Sequence, residues 1–414
     1  MDRPFDPADL PAPRDLPRQS LPDPLKMFDG TPIETPGDWN ERRRPELKQL
    51  FEHYVYGYRP PAPEIETTVE RTEEVLDGQA ILTEIDIVFT EVPAAPSPRL
   101  ALFTPSDVDA PVPTVLALNS SGNHTTVGDD RVTLTETTRQ RGGTPDERGN
   151  RADSWCVPYL LSRGYGFATA HCEAFSTDED RTGGVHPHIE TPGIPEGRWG
   201  TLAAWAWGLE RCVTVLESEE HVDGTGICLS GHSRRGKAAL LAAAFDERAA
   251  IAIPQKSGTG GTALSRGNDQ ETISRINQSF PHWFNGRFPA FSGRTERLPV
   301  DQHLLIALVA PRPVIDLEGM RDHWANFGRA RDAIRAAAPA YDLLEGAPFA
   351  EDGGEASDGR VEDDVPRGDL LLENDRIGAE TCGRLLQYRR DTGHTMERGY
   401  WRAALDFADC HLRE

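Results

Sequence analysis

The chain has 414 residues, with 44 Lys and Arg against 67 Asp and Glu, for a net charge of −23. A surface this acidic repels nucleic acid phosphates and anionic membranes and so excludes both as partners, and no apolar run reaches the length of a membrane span. Only four lysines occur, Lys26, Lys48, Lys237 and Lys256; such a composition suits solubility in concentrated salt, where screening removes self-repulsion.

The opening residues lack a basic stretch followed by an apolar core, so a cytoplasmic location is expected. The six cysteines are scattered without a C-x-x-C pair and read as reduced thiols, with no Cys172–Cys228 bridge expected. Residues 1–40, rich in Pro and Asp, read as an extended arm. Leu47, Leu50, Phe51 and Tyr54 recur at helical spacing within Asn40 to Tyr56. Arm and helix together form residues 1–60, packed on the main domain spanning 61–414.

Ile81 to Thr90 and Arg99 to Thr104 read as antiparallel entry strands. Pro113 to Leu118 is a buried strand that runs into the polar loop Asn119 to His124. In α/β-hydrolases this loop can give an N–H to an oxyanion, although its residues are equally turn formers. Trp155 to Arg163 reads as a helix, Tyr165 to His171 as a strand, and Trp199 to Glu217 as a long helix with an apolar side. His171, His186 and His188 have no metal-ligand spacing around them, so neither a metal nor a cofactor is expected.

The stretch from Gly226 to Lys237 reads G-I-C-L-S-G-H-S-R-R-G-K. An apolar run, Ile227 to Leu229, enters a turn carrying Ser233, and the Ala- and Leu-rich Ala238 to Phe245 follows as a helix. Strand, serine turn and helix make the nucleophile elbow of α/β-hydrolases, in which the N–H after the serine faces an oxyanion. The usual glycine two places after the serine is Arg235 here, with Gly236 one place later. A serine hydroxyl needs a base and a group to orient that base, and in this fold they follow in the order acid, then histidine. His394 fits, lying between the strand Leu385 to Tyr388 and the helix Tyr400 to His411; His282, His303 and His411 are worse placed. Alternating buried strands and helices predict a three-layer αβα sandwich around a mostly parallel sheet.

Gly231 to Lys237 also resembles the G-C-S-R-x-G-K box of glucuronoyl esterases, carbohydrate esterase family 15, with His232 where many members carry Cys. The resemblance continues through Ala250 to Gly261, Glu271 to Phe284 and Leu298 to Pro313, and covers about Leu21 to His411. It implies an esterase that cleaves esters of 4-O-methyl-glucuronate, carried on xylan and linked to a lignin alcohol, so the partner is a small or oligosaccharide uronate ester. One position the family uses for its acid is Lys256 here, and a cation cannot stabilise an imidazolium. The family's Asp-x-Trp pattern places the acid on Asp322, with Glu318 the runner-up. The same resemblance carries Arg234, Lys237, Glu271 and Trp324 over as oxyanion or substrate contacts. His282 and Trp283 are further candidates for lining the cleft. A salt bridge from Lys256 to Asp322 or Glu271 would weaken the acid. Two alternatives remain, a carbohydrate acetylesterase on the same scaffold and a sugar-binding homologue that has lost catalysis. The acidic stretch 345–375 has no counterpart in the family and reads as a surface insertion.

Overall fold

The computed structural model describes residues 4–108, 110–189, 198–345, 377 and 382–413. The acidic stretch 345–375 therefore lies outside the described residues, apart from Glu345 itself.

A sheet of nine strands organises the described residues. In chain order they are β1 (Ile65–Val75), β2 (Ala80–Phe89), β3 (Arg99–Pro105), β4 (Val112–Asn119), β5 (Gly166–His171), β6 (Val222–His232), β7 (Ile251–Gln255), β8 (Val314–Gly319) and β9 (Leu385–Arg390). Their spatial order is β1-β2-β3-β5-β4-β6-β7-β8-β9. The pairs from β1 to β5 are antiparallel. From β5 through β4 to β9 every pair is parallel. The chain leaves β4 for β5 on one side and later for β6 on the other, so the topology reverses at β4. In open α/β sheets ligands bind beyond the carboxyl ends of the strands beside such a switch.

The parallel strands are buried throughout, β5, β7 and β8 without exception, because helices cover both faces. Thr201–Leu216, Arg234–Phe245 and Phe327–Glu345 pack on one face, and Val157–Ser162 and Arg398–Leu412 on the other. This is the expected three-layer α/β-hydrolase architecture. Thr201–Leu216 is apolar nearly all round because it lies between the sheet and its neighbour helix Arg234–Phe245.

The arm is bound into the same core. Leu10, Leu16 and Ile33 are buried with Trp39 and Leu47, and the Gln49 side-chain amide holds both the N–H and the carbonyl of Phe5. The predicted helix from Trp155 to Arg163 is two short helices, Ala152–Trp155 and Val157–Ser162. They meet at Cys156, whose φ is 51°. Pro158 cannot donate to a preceding turn, so a fresh helix starts there. All six cysteines are free.

Candidate active site

Ser233 follows β6 and caps the N-terminus of the helix Arg234–Phe245 with φ 58° and ψ −127°. This left-handed backbone is costly for a residue with a Cβ, by roughly 1–3 kcal/mol, and persists only where the surroundings enforce it. Here the enforcement is close packing. The Ser233 N–H donates to the Gln255 carbonyl of β7 at 2.8 Å. A Cβ on Gly231 would collide with the Arg235 carbonyl, and one on Gly236 would lie 2.6 Å from the Gly231 carbonyl oxygen. The two glycines let the strand end and the first helical turn touch, which explains why the second glycine can stand one place later than the usual pattern. The amides of Gly236 and Lys237 turn back to the Ser233 carbonyl. Arg234, as the first helical residue, has an N–H with no carbonyl in its own helix to receive it.

His394 comes from the loop between β9 and the last helix. Its Nδ1 hydrogen-bonds to Oδ2 of Asp322, which lies just past β8. Asp322 Oδ1 also accepts the Ala325 N–H at 3.3 Å. Burial opposes ionisation of Asp322, but the bond to His394, the Ala325 amide and the Lys256 charge outweigh it, leaving the carboxyl below its ordinary value. The ring of His232, the residue before the serine, lies 4.5 Å from the His394 ring, centroid to centroid. Base, acid and elbow are thereby gathered at the ends of β6, β8 and β9. The His394 side chain is 42% exposed, so solvent reaches it.

Glu318 does not reach the histidine. It is buried within β8, neither carboxylate oxygen has a hydrogen-bond partner, and burial beside Asp316 pushes its pKa well up. Lys256 makes no salt bridge to Asp322 or Glu271 among the described residues. Its Nζ has no hydrogen-bond partner and sits 3.3 Å over the centroid of the Tyr400 ring.

Lys237 and Glu271 meet, but not as two free sugar contacts. The ammonium donates to the carbonyls of Ser257 and Thr259, both at 2.6 Å, and to Glu271 at 3.0 Å. That exhausts its three donors. Glu271 Oε2 also accepts the Thr259 N–H at 2.8 Å. Burial pushes the Glu271 carboxyl up, while Lys237, the Thr259 amide and the Trp324 indole pull it back. The pair thus braces the glycine turn after β7. The indole beside it is 41% exposed, a flat apolar face of the kind a sugar ring covers.

Arg234 is fixed by a residue that the sequence did not single out. Its Nη1 donates to Asp178 Oδ2 at 2.6 Å, and its guanidinium lies 4.7 Å from the Phe280 ring and 4.6 Å from the Trp283 ring. Asp178 Oδ1 receives the Trp283 indole N–H at 2.8 Å and contacts His282 Nε2 at 3.3 Å. Burial acts against the Asp178 charge, but these bonds more than offset it and hold the carboxyl low. Asp178 lies in the polar run Ser176 to Asp180, whose composition says only "turn". In the loop after β4, the amides of Ser121 and Gly122 are taken up by Asn119 Oδ1, at 3.3 and 2.7 Å, so these two turn inward. Among the described residues no group of three or more His, Cys, Asp or Glu side chains is placed to hold a metal ion.

A family profile described as "Glucuronyl esterase, fungi" matches residues 195–345. Carbohydrate esterase MZ0003, from an unknown prokaryotic organism, is 41% identical over 343 residues, spanning 80% of this chain and 79% of that protein. The 4-O-methyl-glucuronoyl methylesterase of Phanerochaete carnosa is 30% identical over 339 residues, 78% of this chain and 72% of that one. Among solved structures, a glucuronoyl esterase from Solibacter usitatus has a TM-score of 0.82 at 30% identity, over 96% of this chain and 100% of that one. A promiscuous CE15 esterase from a marine bacterial metagenome has a TM-score of 0.79 at 34% identity, over 97% and 99%.

Proposed function

This chain belongs to the glucuronoyl esterases, carbohydrate esterase family 15, and from that membership we infer how its residues divide the work of cleaving a uronic acid ester. The protein is a carboxylic ester hydrolase. Ser233 Oγ attacks the ester carbonyl carbon while His394 Nε2 takes the hydroxyl proton. Asp322, on the opposite ring nitrogen, holds the tautomer that leaves Nε2 free to accept and stabilises the imidazolium that forms. The carbonyl oxygen gains charge within reach of the Arg234 N–H and the start of its helix. Collapse of the tetrahedral species breaks the bond to the alcohol oxygen, which leaves with the proton from His394. Water repeats the sequence on the acyl-enzyme: His394 takes a proton, the oxygen bonds to the acyl carbon, and Ser233 departs with its hydrogen restored. Free uronate and the alcohol are the products.

Arg234, clamped by Asp178 and two aromatic rings, adds a fixed positive charge beside the oxyanion. Trp324 receives the pyranose face, and the Lys237–Glu271 pair shapes the floor under it. The observation that carries this reading is the Asp322–His394 hydrogen bond, with the His394 ring tilted against that of His232, the residue before the serine. The test is hydrolysis of the methyl ester of 4-O-methyl-glucuronate, with acetylated xylan as the competing substrate. Release of methanol that disappears in Ser233→Ala supports the reading. Release of acetate alone, or methanol release that survives the substitution, overturns it.

A further inference from the structure

The hydrolytic steps make no use of Lys256, yet its setting is unusual. The residue follows β7 with φ 49°, is 1% exposed, and its Nζ finds no hydrogen-bond acceptor. Burying an ammonium without a partner is expensive unless something nearby compensates. Compensation comes from the face of Tyr400, 3.3 Å below the nitrogen. It also comes from acidic groups that favour the charged form: Glu318 and Asp316 of β8, Asp322 after it, and Glu397 at the start of the last helix. From the elbow side, His232 also feels this charge.

Tyr400 is tied to both loops of the acid–base pair. Its hydroxyl meets Thr392 Oγ1 at 2.5 Å and donates to the Glu318 carbonyl at 3.0 Å. Thr392 stands two residues before His394, and its carbonyl accepts the Arg321 N–H at 2.9 Å, one residue before Asp322. The lysine stem is wedged under the same junction. A Cβ on Gly319 would lie 3.2 Å from Lys256 Cε and 2.6 Å from the Gly393 carbonyl oxygen. Lysine, tyrosine ring, histidine loop and acid loop are therefore in one contiguous contact.

We propose that Lys256 is a positioning residue for the Asp322–His394 pair, seating Tyr400 so that its hydroxyl locks the two loops together and setting a positive charge behind the pair that opposes imidazolium formation. The proposal rests on the roles given above to Ser233, His394 and Asp322. Burial pulls the lysine pKa down to about 8, with Glu318 and Asp322 acting the other way, so the charge is present at neutral pH.

The experiment follows the rate at which a fluorophosphonate modifies Ser233 as a function of pH, a readout that needs the serine and its base but not the natural ester. Lys256→Met keeps the stem against Tyr400 and removes the charge. Its acid limb is expected to move to higher pH by about one unit, the usual effect of one nearby charge. An unmoved limb in a folded variant overturns the proposal and makes Lys256 a packing residue. Should Lys256→Met fail to fold, Tyr400→Phe tests the tie: it keeps the ring and loses the hydroxyl. A fall of about tenfold in the modification rate, with the limb unmoved, is expected; an unchanged rate overturns the proposal. Wild-type protein that is labelled but inert toward the uronate ester would instead refute the proposed substrate and leave the Lys256 comparison readable.

Discussion

Asp322 and His394 are 72 residues apart in the chain and joined through Oδ2 and Nδ1. The contact exists because β8 and β9 are parallel neighbours in the sheet, with Glu318 opposite Arg389 and Gly319 opposite Arg390, so both loops leave from the same edge. Asp322→Asn keeps the shape but favours the wrong tautomer. Its kcat is expected to fall by about 10³–10⁴-fold with KM little changed. Glu318→Gln, which does not touch the histidine, should stay within a few-fold of wild type. Steady-state kinetics on one uronate ester separates the two.

The close glycines of the elbow give a second expectation. Gly236→Ala would put a Cβ 2.6 Å from the Gly231 carbonyl oxygen, and neither backbone can yield without moving Ser233. We expect a loss of about 1–3 kcal/mol in urea unfolding together with loss of fluorophosphonate labelling. Retained labelling at wild-type stability would show that the turn has slack.

The Lys237–Glu271 pair is 3% exposed on either side. Removing one member of a buried pair strands the other charge, so Lys237→Met should cost about 3–5 kcal/mol. The double variant Lys237→Met with Glu271→Gln should recover part of that loss. Comparing the three unfolding curves tests whether the pair braces the turn. Trp324→Ala, by contrast, should act mainly by raising KM, with a smaller stability loss of about 1–2 kcal/mol from the hydrogen bond it gives to buried Glu271.

Buried neutral histidines set an acid limit to stability. His303 donates from Nε2 to the Pro22 carbonyl at 2.7 Å, and its Nδ1 is buried without a partner. Burial lowers its pKa from the usual 6.5 to about 4, as it does for His53 and His171. Because the folded value is the lower one, the unfolded chain binds the proton first. Stability is therefore intact above pH 6.5, falls as pH drops from there toward 4, and levels off below. For His303 the loss amounts to roughly 3 kcal/mol at most. Melting temperatures across that range should decline, and less steeply in His303→Gln.

Much of this arrangement was legible in the sequence. Apolar runs between Ala-rich helices announced the parallel sheet, since strands buried on both faces carry few polar residues. The elbow and the late histidine followed from chain order. Other parts were hidden for physical reasons. β1 gives no signal because its residues, Ile65 to Val75, are mostly polar and exposed, so it shows none of the apolar alternation of a half-buried strand. Phe327–Glu345 was missed with Pro339 inside it. Asp178 gave no signal, since what it does depends on Arg234 and Trp283 arriving from distant segments. The resemblance makes Lys237 a substrate contact because a sequence cannot show that two backbone carbonyls and Glu271 already surround it.

The outer margin of the sheet, at β1, is strongly acidic. Among the described residues β1 has a neighbouring strand on one side alone, and it presents Glu66, Glu70, Glu73 and Glu74 along its length. Two molecules approaching strand to strand would bring matching rows of anions together, which discourages fusion of their sheets into a ribbon. That repulsion is long-ranged in dilute buffer and fades within a few ångströms in molar salt, so the tendency to clump through this margin should grow with ionic strength.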